Sequence, residues 1–234
     1  MEKGKTSRYL KYAIGEIILV VIGILIALQI NTWNESRKLK NNEVSILKDL
    51  IENLQNDYAS FQIEKKLLEK QLQLVDELII DPHRSPLAKT ELNFLRYQVE
   101  VYPLTFENNI PKGIYNKSIL ERLKMYYRKQ QIVLNDEKTY GNVVINLVRP
   151  YLRKHSIHNP EIVVVKVGDF SNLENGDFGK KLLNIEKLSK LYDSDELRQI
   201  LLELRIKTAE FINDIDQLSE ANKELIPVIK EYIQ

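Results

Sequence analysis

The chain has 234 residues, 44% apolar and 29% charged, and its 34 Lys and Arg almost cancel its 33 Asp and Glu. A net charge of +1 supplies no strongly basic face for a polyanion, so nucleic acid is not a predicted partner. The absence of cysteine excludes disulfides, thiolate metal sites and cysteine nucleophiles, and long apolar runs with only eight Gly and seven Pro predict helices rather than a turn-dense β protein.

Residues 1–11 form a short tail carrying Lys3, Lys5, Arg8 and Lys11, followed by a predicted transmembrane helix over residues 12–33. From Ala13 to Ile30 only Glu16 and Gln29 interrupt an apolar run, close to the length that spans a hydrocarbon core of about 30 Å. Tyr12 and Trp33 lie about 32 Å apart along a helix rising 1.5 Å per residue, which makes them aromatic anchors for the two interfaces. A cleaved signal peptide is the rival reading; the length of the run, Glu16 and the lack of a small-x-small site before Asn31 argue against it. The basic tail favours a cytoplasmic N-terminus, although Arg37, Lys38, Lys40 and Lys48 nearly balance the count beyond the span.

Gly23 and Ala27 make a small-xxx-small pair, and Glu16, seven residues before Gly23, falls on the same helix face. Three roles stand open for this face. Glu16 reaches the headgroups from a packing or interfacial position; or the face builds an oligomer ring without transport; or Glu16 lines a proton or ion path.

The elements IGEI (14–17), VIGILIALQIN (21–31) and WNE (33–35) resemble the opening of an uncharacterised family of single-pass membrane proteins from Bacteroidota, a domain of unknown function. LERLKMYYR (120–128) is similar to that family's leucine-rich segment ending in paired tyrosines, whereas NNIPKGIYN (108–116) stands where relatives tend to carry a Ser-Gly pair. The resemblance implies an architecture without an established activity: a bacterial inner-membrane anchor with the bulk of the chain in the periplasm.

Residues 34–81 read as a helical stalk, since neither Gly nor Pro occurs between the span and Pro82. Leu47, Leu54, Phe61, Leu68 and Val75 recur every seven residues, and Ile51, Tyr58, Leu72 and Ile79 sit four further on, with Lys65 breaking the second row. A stripe this narrow needs a partner helix. Residues 193–234 supply one through Leu197, Leu204, Phe211, Leu218, Leu225 and Tyr232, accompanied by Leu201, Ile215 and Ile229. Antiparallel packing within the chain follows from this arrangement, and the rival is a parallel coiled coil between subunits. Asp193 or Ser194 is the predicted N-cap of the last helix, and Pro227 a predicted kink near its end.

Residues 82–192 form a mainly helical distal insertion. Ser85-Pro86 starts a short helix running to about Val101, and Asn116 or Ser118 starts a long one running to about His155, with Pro150 as a kink or earlier end. EIVVVKV (161–167) is the one β-type run, 168–179 a loop, and 180–192 a short amphipathic helix. The predicted fold is all-α with at most one short strand: a transmembrane helix, a long stalk and an antiparallel hairpin or bundle bearing the insertion.

Chemistry is sparse. His155 and His158 have no third ligand fixed by spacing, so no metal is predicted; the loop over 169–181 fails both the calcium and the phosphate patterns. Tyr126 and Tyr127 beside Arg128 and Lys129 read as half-buried core with a snorkelling base. No nucleophile elbow, zinc-protease helix or dinucleotide fingerprint occurs, so the reading is non-enzymatic and without cofactor. It is a membrane-anchored scaffold or accessory subunit that self-associates, with the bilayer, a second copy and another membrane protein as partners. The alternatives are an extracytoplasmic sensor or signal-coupling subunit, and a proton- or ion-conducting subunit using Glu16.

Overall fold

The computed structural model describes residues 3–105, 110–159 and 182–234, with side chains from Ile14 onward. The chain divides into two compact units, Met1–Asp49 with Pro111–Tyr115, and Leu50–Ile110 with Asn116–Gln234. A single helix, α1 (Lys3–Ile80), contributes to both, as its lack of Gly and Pro beyond Gly23 allows. Then follow α2 (Pro86–Thr90), a 3-10 turn (Leu92–Arg96), α3 (Lys117–Val143), a π turn (Val144–Val148), α4 (Arg149–Lys154), α5 (Ile185–Ser189) and α6 (Asp195–Ile233). The protein is all-α, with no strand among the described residues. The predicted strand over 161–167 and loop over 168–179 lie outside those residues.

Three long helices build the second unit. Along α1 and α6, Leu54 pairs with Asn222, Gln62 with Ser219, Lys65 with Asp216, and Asp76 with Arg205; one series rises as the other falls, so the helices are antiparallel. The heptad stripes therefore meet within one chain. Leu54, Phe61, Leu68 and Val75 are buried, as are Leu197, Leu204, Phe211, Leu218 and Leu225. α3 also runs antiparallel to α6, with Asn222 bonded to Tyr126 and Phe211 against Tyr140 at 5.5 Å between ring centroids. The long helix of the 82–192 segment is thus a third member of the bundle, lying alongside its partners.

The second row of α1 differs from the expected one. Ile51 is buried as expected, but Tyr58, Leu72 and Ile79 are only half-buried, and a further interior row lies three residues after the first, at Leu50, Asp57, Gln71 and Leu78, with Glu64 half-buried in the same series. Polar members hid this row from a hydropathy pattern. They are there because the chain after the 3-10 turn is extended, without a helix or sheet to satisfy its backbone. The Asp57 carboxylate accepts the N–H groups of Leu104 and Thr105 at 2.6 and 2.9 Å. Gln71 donates to the carbonyls of Phe94 and Tyr97, and Gln130 of α3 to that of Thr105. The buried Tyr140 hydroxyl accepts from the Val99 N–H and reaches the Tyr97 carbonyl and Gln71 Oε1. Side chains from two helices replace the missing β partner. The helix begun at Ser85-Pro86 accordingly stops at Thr90, and after the 3-10 turn the chain does not continue helically to Val101.

Local signals set the other boundaries. Ser85, Asn116, Asn184 and Ser194 cap their helices by accepting the N–H three residues on. Pro150 lacks the N–H an α-helix needs, and the preceding turn widens so that the Arg149 N–H reaches back five residues to Val144; the helix continues through Lys154. α6 likewise runs past Pro227 to Ile233. Of the helix expected over 180–192, the described residues 182–192 form α5 over Ile185–Ser189. His155 packs on Tyr151, and His158 pairs with Leu183 in an isolated antiparallel bridge.

Candidate functional site: an exposed apolar helix

The first unit carries the feature that composition made prominent. From Ile14 to Asn42 every residue is exposed, with Leu19 74% and Ile17 63% accessible. One window of 18 residues in this helix is long and apolar enough to cross a membrane, and none of it is buried. Each large side chain left in water forgoes roughly 1.5–3 kcal/mol, so such a surface calls for lipid or protein around it.

Helical geometry sets Glu16, Gly23 and Ala27 on one face, all three exposed, and a Cβ at Gly23 would meet nothing within 4 Å. The face is open to a second helix. Trp33 is 64% exposed, with the Arg37 guanidinium 5.8 Å from its ring, an amphipathic pair suited to an interface. Thr32 and Ser36 donate to the carbonyls of Leu28 and Thr32 at 2.9 Å, satisfying their hydroxyls inside the helix. The Tyr12 side chain lies outside the described ones.

Sequence reading missed the close of this unit. Glu43, 3% exposed, accepts the Tyr115 N–H at 2.6 Å, and Gly113 has φ +96°. A Cβ there would stand 3.0 Å from Ile46 Cδ1 and 3.3 Å from Asn42 Nδ2, so the turn over Pro111–Tyr115 requires glycine for both conformation and room. The docking of this Pro-Lys-Gly turn on α1 was not legible in the sequence.

Among the described residues no group of three His, Asp or Glu is placed to hold a metal ion. No curated protein and no solved structure matches the chain. Residues 16–86, which take in the apolar run from Glu16 onward and all of α1 beyond it, match a family of unknown function (DUF6090).

Proposed function

We propose that the chain is a single-pass protein of a bacterial inner membrane. Its N-terminus is cytoplasmic, and the span holds the helical bundle in the periplasm, where it serves as a scaffold or accessory subunit of a membrane complex, without catalysis. The observation that supports this reading is the fully exposed apolar window of α1. Self-association through Glu16, Gly23 and Ala27 fits the open face at Gly23. Within the run Glu16 is the single ionisable residue, an incomplete relay for protons or ions, so its role here is positioning and assembly.

The test is blue-native electrophoresis of mild detergent extracts together with a reporter fused after Gln234. A defined oligomer that Gly23→Leu or Ala27→Leu dissociates, with reporter activity only outside the cytoplasm, supports the proposal. A strict monomer indifferent to both substitutions contradicts the self-association; cytoplasmic reporter activity contradicts the orientation. Glu16→Gln should leave oligomer size unchanged.

A further inference from the structure

A polar cleft in the second unit collects positive charge. Arg96 ends the 3-10 turn, and Arg149 stands where the π turn hands over to α4. The Arg149 Nε–H donates to the Arg96 carbonyl at 3.2 Å, bringing both residues to one open cleft of about 330 Å³ shared with Asn93, Gln98, Glu100 and Leu182. Among the described residues, the arginine ion pairs are those of Arg84 with Asp81 and Arg205 with Asp76. Neither Arg96 nor Arg149 has a carboxylate partner there, and Arg96 Nε is buried with no hydrogen-bond acceptor.

The surroundings register the excess. Burial, and then the Arg149 charge, pull the Arg96 guanidinium below its ordinary value. His158 is held down by burial and then by Arg96 and Arg153. Glu100, exposed and bonded to the Tyr102 hydroxyl, is the one acidic residue lining the cleft among the described residues. The cleft is also shaped by α3: a Cβ at Gly141 would stand 3.0 Å from Gln98 Nε2, so glycine, unfavourable inside a helix, lets this amide lie against the helix. Two guanidinium groups without a carboxylate partner among the described residues, flanked by side-chain amides, offer directed donors beyond the one Arg149 spends on the Arg96 carbonyl.

We propose that this cleft binds the oxyanion group, carboxylate or phosphate, of a small soluble molecule through Arg96 and Arg149. Guanidinium forks match such groups in a bidentate manner, and the bound charge relieves the repulsion between the two arginines. The site lies wholly within the second unit and stands independently of what the membrane segment does.

Hydrogen–deuterium exchange of the full chain in detergent micelles tests it, with inorganic phosphate or succinate titrated against chloride at constant ionic strength. The expected result is saturable protection centred on residues 93–98 and 146–150 with phosphate or succinate and none with chloride. Arg96→Gln and Arg149→Gln should each weaken that binding roughly tenfold to a hundredfold, the loss of one charge-assisted contact. Protection that is absent, lies elsewhere or is equalled by chloride overturns the proposal in the wild-type chain alone, whatever the variants do. Folded arginine variants with unchanged affinity overturn it as well.

Discussion

Two stretches of α1 treat hydropathy in opposite ways. Between Ile14 and Ile30 the helix exposes isoleucine, leucine and valine on all sides, whereas beyond Leu50 it buries Asp57 and Gln71 alongside leucine. Burial follows the partners available and not the residue scale. Asp57 and Gln71 lie inside because an extended backbone offers them N–H and C=O groups, and the apolar run lies outside because among the described residues nothing covers it.

A matched pair of truncations gives the largest contrast. Leu68→Ala should cost the bundle about 2–5 kcal/mol, since Leu68 is fully buried and the helices around it cannot collapse freely. Leu25→Ala, at a position 58% exposed, should leave the thermal unfolding of the bundle unchanged in detergent. Circular dichroism of the two variants reads the difference directly, and equal losses would remove the distinction between the stretches.

A smaller effect probes the buried carboxylate. Asp57→Ala strands the N–H groups of Leu104 and Thr105, at about 1–3 kcal/mol for a buried donor left unpaired. Denaturant unfolding should show that loss, together with faster amide exchange at residues 104 and 105. Asp57→Leu should do no better, because the deficit lies in the backbone and not in the volume filled.

The smallest expected effect is one of pH. Burial lifts the Glu64 carboxyl from 4.5 to about 7, so the folded chain holds that proton more tightly than the unfolded chain does. The sign follows: this contribution to stability is present below about pH 4.5 and is lost as pH rises towards 7. A series of unfolding midpoints across that window should fall in the wild type and flatten in Glu64→Gln. A slope unaffected by the substitution would place the titration elsewhere.

The helices were legible because their signals are local. Ser85-Pro86 marked one helix start, Asn116 or Ser118 and Asp193 or Ser194 narrowed two others to the residues that cap them, Asn116 and Ser194, and Leu54 through Val75 and Leu197 through Leu225 announced two faces meeting within the chain or between chains. The place of the third helix in the bundle and the inner row of α1 were not legible for one shared reason. Asp57, Gln71 and Gln130 read as surface residues until the extended segment they serve is in place, and that pairing joins positions 23 to 48 residues apart. On the exposed apolar helix, Glu16, Gly23 and Ala27 could be set on one side by helical spacing alone. The Arg96 and Arg149 cleft could not, because 53 residues separate its two cations.

Alkaline carbonate extraction of membranes from cells producing the full chain, with an epitope ahead of Met1, tests the central claim most directly. The account predicts that the protein stays in the membrane pellet with its epitope attached, because the exposed apolar window of α1 is embedded in lipid and retained. Release of the chain into the carbonate supernatant, or a soluble product lacking the epitope, would contradict it.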